Sequence, residues 1–271
     1  MRGINKKLND LVILIKGAGE MATGAAHRLA SCGFNVCMTE TSTPQAVRRE
    51  VAYSEAIFDS EKQVEGITAR RVESMARISE VWREGKIPIL IDPGTKVKDY
   101  LKPDVFIDAT LAKKNLGTKI MDAPLVIGLG PGFSAGKDVH LVIETNRGHN
   151  LGRIIAHGEA EPNTGIPGPI AGYAEERVIR APRDGRFKTL KKIGDGVKAN
   201  EEVGMIENAM VQSRIAGVVR GLLRDGTEVW KGMKLGDVDP RGIKAYGYTI
   251  SDKARTISGG VLHAILEHFN G

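Results

Sequence analysis

Cysteine is nearly absent from this 271-residue chain: Cys32 and Cys37 are the only two. They flank one helix-to-strand turn and lack metal-ligand spacing. That excludes a disulfide framework and a cysteine-rich zinc module, and makes both reduced, semi-buried packing residues. Aromatic residues are scarce at 5%, so no basic stretch carries an aromatic platform on which bases could stack. No apolar run reaches the roughly 18 residues that suggest a membrane span. The opening stretch MRGINKKLND is polar, with no hydrophobic core of a signal peptide before the first apolar run. A cytoplasmic protein is expected, with no membrane and no nucleic acid among its partners. Charge of one sign is also lacking: 39 Lys and Arg stand against 33 Asp and Glu, a net +6 with both signs interspersed. That balance supports solubility and a mild affinity for anions. The densest basic stretch, from Arg180 to Lys198, reads as a solvated strand face.

Glycine, by contrast, is abundant, with 33 residues. The most informative run is Ile13-Leu14-Ile15-Lys16-Gly17-Ala18-Gly19-Glu20-Met21-Ala22. It predicts a buried strand, a tight turn and the first turn of a helix over 20–31. The pattern is G-x-G-x-x-A, a dinucleotide-binding fingerprint. Gly17 permits the sharp turn, Gly19 lets a pyrophosphate approach the main chain, and Ala22 lets helix and strand pack closely. The helix start offers N–H groups and a partial positive charge to phosphates. Residues 34–38 read as the second strand. Glu40 closes it, 23 positions after Gly17, near where a ribose-binding acid is expected. Arg48 and Arg49, close by in sequence, weaken the choice between NAD-like and NADP-like ligands. Gly17, Ala18, Gly19, Glu20, Met21, Ala22 and Glu40 are therefore candidate cofactor-binding residues.

The α/β pattern continues. A helix is expected over 73–84, and strands over 87–91, 104–108, 124–127, 139–144 and 153–156. Polar residues and glycines gather at the strand ends, where open parallel sheets bind ligands. Asp108 and Thr110 join the candidates, with Lys113, Lys114 and Asn115 after them. Gly128, Gly130 and Gly132 in the GLGPG turn form either a second anion nest or a tight turn alone. His140, Glu144, Thr145, Arg147 and His149 crowd the next strand and its exit, but no third ligand stands at convincing metal spacing, so no metal is expected. Residues 158–172, rich in Gly and Pro, mark a break. The expected organisation is a Rossmann-like cofactor-binding domain over 1–175, a β-module over 176–240, and a segment over 241–271 packing back on the first domain. In that last segment Tyr246 and Tyr248 alternate like a strand and 257–266 reads as a helix.

An internal repeat runs through the β-module. A displacement of 32 residues carries Gly185 onto Gly217, Gly194 onto Gly226, Val197 onto Val229 and Val203 onto Leu235. Glycines at turns and aliphatic residues at constant offsets suit two hairpin-rich halves packed as a pseudo-twofold sandwich. Ala181-Pro182-Arg183-Asp184-Gly185 and Glu207-Asn208-Ala209-Met210 resemble segments of biotinyl and lipoyl carrier domains, which implies a barrel-sandwich hybrid. The carriers' attachment lysine is replaced by Val211, and no lysine lies between Ala199 and Arg220. Covalent biotin or lipoate is therefore not expected. A rigid module for docking or oligomerisation is the plainer reading.

Across the chain, GAGEMATG at 17–24, REVAYSEAIFD at 49–59, IDPGTKVKDYLKPDVFIDATLAKKN at 91–115, GLGPGFSAGKDVHLVIETNRGHNLG at 128–152 and GDVDPRG at 236–242 follow in an order that resembles YqeB-type accessory proteins of selenium-dependent molybdenum hydroxylases. The related XdhC-type factors also carry a Rossmann domain. The resemblance implies a maturation factor that binds a dinucleotide, NAD(P)-like or molybdopterin dinucleotide, for modification or insertion of that cofactor. It implies a molybdenum hydroxylase apo-enzyme or other cofactor-handling proteins as partners. A homo-oligomer is also expected. The alternative is an NAD(P)-dependent oxidoreductase whose β-module serves oligomerisation. No catalytic residue is assigned by either reading.

Overall fold

The computed structural model describes residues 7–270. The polar start of the chain, residues 1–6, lies outside them. The chain divides into two units: residues through Pro44, Ala52–Asn163 and Ile250 onward form the first, and Gln45–Val51 with Thr164–Thr249 form the second.

In the first unit the strands are β1 (Val12–Lys16), β2 (Asn35–Glu40), β3 (Glu61–Val64), β4 (Ile67–Arg71), β5 (Ile87–Ile91), β6 (Val105–Asp108), β7 (Leu125–Leu129), β8 (Ser134–Ala135), β9 (Leu141–Ile143), β10 (Ile154–Ile155) and β11 (Gly158–Glu159). Nine of them form one sheet in the order β10-β9-β7-β6-β1-β2-β5-β4-β3, while β8 and β11 pair separately. β1 sits at the centre because its side chains face a packed layer on both sides. Such a strand reads as an unbroken apolar run, and Ile13, Leu14 and Ile15 are fully buried.

The helices are α1 (Glu20–Ser31), α2 (Ala56–Asp59), α3 (Ile78–Arg83), α4 (Val97–Leu101) and, from the chain's far end, α5 (Asp252–Asn270). One core gathers Leu14, Cys37, Leu90, Phe106 and Val126 from the sheet with Ile78 and Val81 of α3 and Val97 of α4. α1 buries Ala22, Ala25, Ala26 and Leu29, and α5 buries Ala254, Ile257, Val261, Ala264 and Ile265. Each of the larger α5 side chains contributes about 1.5–3 kcal/mol by leaving water. The two helices touch at Gly24, where a Cβ would stand 2.9 Å from the Ala254 Cβ. Arg28 Nε donates to Ser258 Oγ across the same pair at 2.8 Å.

The expected Rossmann-like open parallel sheet is corrected here. β9 through β4 run parallel across the sheet, but β10 and β3 close its two edges antiparallel. Moreover, no helix lies between β6 and β7 or between β7 and β9. A doubly wound sheet needs crossover helices there. Here α5, supplied from more than a hundred residues downstream, packs against β7, β9 and β10 instead. The helix expected over 73–84 is shorter, Ile78–Arg83, after a 3-10 turn at Met75–Arg77.

The second unit holds β12 (Val178–Arg180), β13 (Gly185–Thr189), β14 (Gly196–Val197), β15 (Glu202–Ile206), β16 (Ala209–Gln212), β17 (Gly217–Leu222), β18 (Thr227–Val229) and β19 (Lys234–Asp239). They make two four-stranded sheets, β12-β19-β17-β14 and β16-β15-β13-β18. All their pairings are antiparallel. The 32-residue repeat carries β12–β15 onto β16–β19, and so carries one sheet order onto the other. Phe187, Val203, Ile206, Val219, Leu222 and Leu235 fill the space between. The expected biotinyl/lipoyl-like module over 176–240 is not what forms: the unit spans Thr164–Thr249 and takes in a segment from far upstream. Segment 45–51, inserted in sequence after β2, belongs to this unit: Val47 O accepts the Leu222 N–H at 2.8 Å, Arg49 Nε donates to Leu222 O, and Gly221 leaves room for Val47. Arg48 reaches the carbonyls of Tyr246 and Thr249. The stretch around Tyr246 is a 3-10 helix, Lys244–Gly247, not a strand. Tyr248, which ends it, donates its hydroxyl to Ile193 O at 2.6 Å.

Candidate functional site

The parallel strands deliver their last residues to one end of the first unit's sheet: Lys16 from β1, Glu40 from β2, Asp108 from β6. The turn after β1 is held from both sides. Gly17 has φ +94°, which only glycine adopts without strain, and its N–H donates to Thr39 O at 2.8 Å. A Cβ there would stand 3.1 Å from Ala109 O. Ala18 is buried; its carbonyl accepts from Ser54 N–H at 2.9 Å and from Thr23 Oγ1 at 3.1 Å. Gly19 is the N-cap of α1, with φ −68°. Any residue could adopt that angle, and a Cβ there would meet nothing within 4 Å. Glu20 opens the helix, half-buried, while Met21 and Ala22 face the core.

Glu40 does not stand open to a ribose. Its Oε2 accepts the Ala18 N–H at 2.8 Å and its Oε1 accepts the Thr41 N–H at 2.7 Å. The carboxylate is a brace for the glycine turn. Asp108 is wholly buried. It accepts from Thr110 N–H (3.1 Å), Thr110 Oγ1 (2.7 Å) and Thr118 Oγ1 (2.6 Å), with Lys16 Nζ at 3.6 Å. Thr110 and Asp108 are thus brought together beside Lys16. Thr118, which sequence reasoning passed over, completes the set.

The three glycines of the GLGPG turn are packed by the chain itself. A Cβ at Gly128 would enter the Phe133 ring at 2.5 Å, and one at Gly130 would strike Thr145 Oγ1. At Gly132 it would stand 2.6 Å from Lys114 N. Gly130 and Gly132 also hold positive φ. These glycines serve close packing, Gly128 against Phe133, Gly130 against Thr145 and Gly132 against loop 109–118.

His140 and Glu144 have separate tasks. His140 Nδ1 accepts the Val126 N–H at 3.0 Å. Burial, then the nearby His268, hold its pKa below the ordinary 6.5. Glu144 is 2% exposed and accepts three main-chain N–H groups, from Thr145, Asn146 and Glu161, at 2.7, 2.7 and 2.8 Å. Nothing in residue type marks such a clasp, because its donors are backbone. Among the described residues no group of three His, Cys, Asp or Glu side chains is placed to hold a metal. A cavity of about 400 Å³ opens beyond the clasp, lined by Arg153, Ile155, His157, Glu159 and Glu161. Of the strand-end groups it includes only Glu144. Cys37 is buried, which pushes its thiol pKa far up, while Cys32 is exposed rather than semi-buried. The buried Cys37 thiol is not set up as a nucleophile.

Fold and site together define an α/β unit with a glycine turn at the carboxyl ends of its parallel strands, joined to a two-sheet β unit. No protein-family model matches the chain. It is 48% identical over 255 residues to the uncharacterized protein YqeB of Escherichia coli (strain K12), an alignment spanning 94% of this chain and 47% of that protein. The likeness to YqeB supports a YqeB-type protein, and the chain spans about half the length of that curated relative. Among solved structures, the product-bound ectoine utilization protein EutE (DoeB) from Ruegeria pomeroyi aligns at TM-score 0.26 and 10% identity, over 84% of this chain and 85% of that one. An aspartoacylase family protein from Mesorhizobium loti aligns at 0.26 and 12%, over 84% of both chains. A succinylglutamate desuccinylase/aspartoacylase from Rhodobacter sphaeroides aligns at 0.27 and 14%, over 84% and 85%.

The functional expectations are corrected at this point. The matching solved structures bear the names of aspartoacylase- and desuccinylase-type proteins, and the relative YqeB is named only as uncharacterized, so a link to selenium-dependent molybdenum hydroxylases is not shown. A maturation factor for those enzymes and an NAD(P)-dependent oxidoreductase are both withdrawn, and the acid cast for ribose binding is engaged by main-chain amides. At these TM-scores the solved structures assign no activity in their place. No helix among the described residues is long and apolar enough to cross a membrane.

Proposed function

We propose that the first unit binds a small phosphate-bearing molecule at the N-terminus of α1. One observation carries this reading: Gly19 is a glycine that neither backbone angle nor packing requires, and its missing side chain leaves open space at the positive end of a 12-residue helix. A helix start presents main-chain N–H groups and a partial positive charge, a combination suited to phosphate. Two supports hold the turn in shape: the Glu40 brace on Ala18, and the Gly17 contact with Ala109. Lys16 with Asp108 and Thr110 forms the polar floor beside it. A cytoplasmic setting goes with this proposal.

The test is calorimetric titration of the full chain with inorganic phosphate, pyrophosphate and adenosine diphosphate. Binding of at least one is expected, weakened about ten-fold or more in Gly19→Asp, where a carboxylate enters the space a phosphate would take; a ten-fold loss corresponds to about 1.4 kcal/mol. Absence of heat with all three ligands, at concentrations up to the millimolar range, would overturn the proposal.

A further inference from the structure

The cavity of about 400 Å³ in the first unit is lined from one stretch of chain, Glu144 to Glu161. β10 pairs with β9 through Ile154–Ile143 and Ile155–Val142, and the chain then leaves that sheet so that β11 can pair with β8. The cavity lies at this change of sheet, with Ile154 and Ile155 as its apolar wall. Its volume is at the small end of the range for ligand pockets, roughly 300–1,000 Å³.

The charged groups in the lining are held in place, yet they do not pair with one another. Two amides fix the Glu161 carboxylate: Asn146 Nδ2 donates to Oε2 at 2.5 Å and Asn150 Nδ2 to Oε1 at 3.1 Å. The Asn146 bond, then the Asn150 bond, hold its pKa below the ordinary carboxylate value. Both donors are neutral, so the negative charge stays, and each oxygen keeps a lone pair for a further donor. Ala160 is buried between the exposed Glu159 and Glu161. Alternation along the segment leaving β11 therefore puts the two carboxylates on one side. The Glu159 side chain makes no hydrogen bond or ion pair among the described residues. Glu144, the third acid of the lining, is saturated by three main-chain N–H groups.

Arg153 is the one Lys or Arg in the lining. Its guanidinium makes a single long bond, Nη1 to Asn150 Oδ1 at 3.4 Å, and no ion pair among the described residues, Glu159 and Glu161 included. Elsewhere in this unit charged side chains do pair, as Arg147 with Asp252 and Arg70 with Glu61. The cavity thus presents two open carboxylates and one open guanidinium. The acids are not placed to share a metal ion. A dicarboxylate would meet Glu159 and Glu161 with like charge, and a plain diamine would meet Arg153 with like charge.

We propose that this cavity binds an amino acid with a basic side chain, its carboxylate on Arg153 and its two cationic groups on Glu159 and Glu161. The lining shares no residue with the glycine turn at the start of α1, so this proposal stands or falls apart from the phosphate site.

The test is titration of the ¹⁵N-labelled full chain with L-lysine, norleucine, cadaverine and L-glutamate. It follows the main-chain amides of residues 150–161 and the side-chain NH₂ signals of Asn146 and Asn150. Lysine is expected to shift these signals saturably, with a Kd at least about ten-fold below that of norleucine, which lacks the second amine, and that of cadaverine, which lacks the carboxylate. Glutamate should leave them unmoved. In Arg153→Gln, lysine should lose its advantage over cadaverine, while cadaverine binding holds or rises; a general loss of folding would lower both. Absence of a saturable shift at these residues with millimolar lysine would overturn the proposal. Any of the other three ligands binding the wild type as tightly as lysine would overturn it too.

Discussion

Glu144→Gln removes the charge from the clasp without changing its size, and the geometry sets the cost. The carboxylate accepts three main-chain N–H groups at 2.7–2.8 Å from a site that is 2% exposed. A glutamine offers one acceptor oxygen, so its NH₂ must face at least one of those donors. Hydrogen bonds to a charged group are worth about 1.5–3 kcal/mol each, and a buried donor left without a partner costs about 1–3 kcal/mol more. Since Oε1 holds two of the three, the variant can keep those two and lose the Glu161 bond. A net loss of about 2–4 kcal/mol is expected. The clasp joins the exit of β9 to the strand-following segment at Ala160–Glu161, so the destabilisation belongs to the first unit. Urea unfolding followed by circular dichroism measures it; in a chain this long each kcal/mol also lowers Tm by about 2–4 °C. A change below about 0.5 kcal/mol would refute the reasoning that these three bonds are formed together.

Two further predictions concern polar groups of the same unit. His140 is neutral in the fold because its Nδ1 accepts the Val126 N–H, and its pKa is lowered by burial and then by His268. Below about pH 6.5 the unfolded chain therefore takes up more protons at this ring than the folded one, so stability present above that pH falls as the pH drops; unfolding curves between about pH 7.5 and 5 should show this slope, and His140→Asn should flatten it. Asp108→Asn leaves the buried Lys16 without its counter-charge and disturbs the Thr110 and Thr118 bonds. A loss of about 3 kcal/mol is expected, partly recovered in the Lys16→Met, Asp108→Asn double variant, with thermal unfolding as the readout; equal stability of the wild type and Asp108→Asn would contradict the pairing.

The central strands were legible because burial on both faces leaves its mark on composition. Ile87–Ile91 and α1 fall where apolar runs and the glycine turn put them. The 32-residue repeat was legible for a similar reason: turn glycines and inward aliphatic residues recur wherever the same hairpin geometry recurs. What escaped was non-local. Nothing in residues 109–140 announces that the face of β7 and β9 is covered by a helix from the far end of the chain. Nothing in Gln45–Val51 says that Val47 will bond to Leu222. In the site, Gly17 and Gly19 were found by their spacing. Yet the same spacing logic cast Glu40 as a ribose acceptor when its partners are main-chain amides, which no pattern of side chains reveals. The glycines at 128, 130 and 132 looked alike from sequence, although Phe133, Thr145 and Lys114 fill the three positions for three different reasons.

The most direct measurement of the account is a titration of the ¹⁵N-labelled chain with pyrophosphate, following backbone amide resonances. A ligand seated on the start of α1 shifts Gly19, Glu20 and Met21 in a saturable manner, and leaves the second unit unmoved. Shifts confined to scattered surface lysines, or no saturable shift at Gly19–Met21, would contradict it.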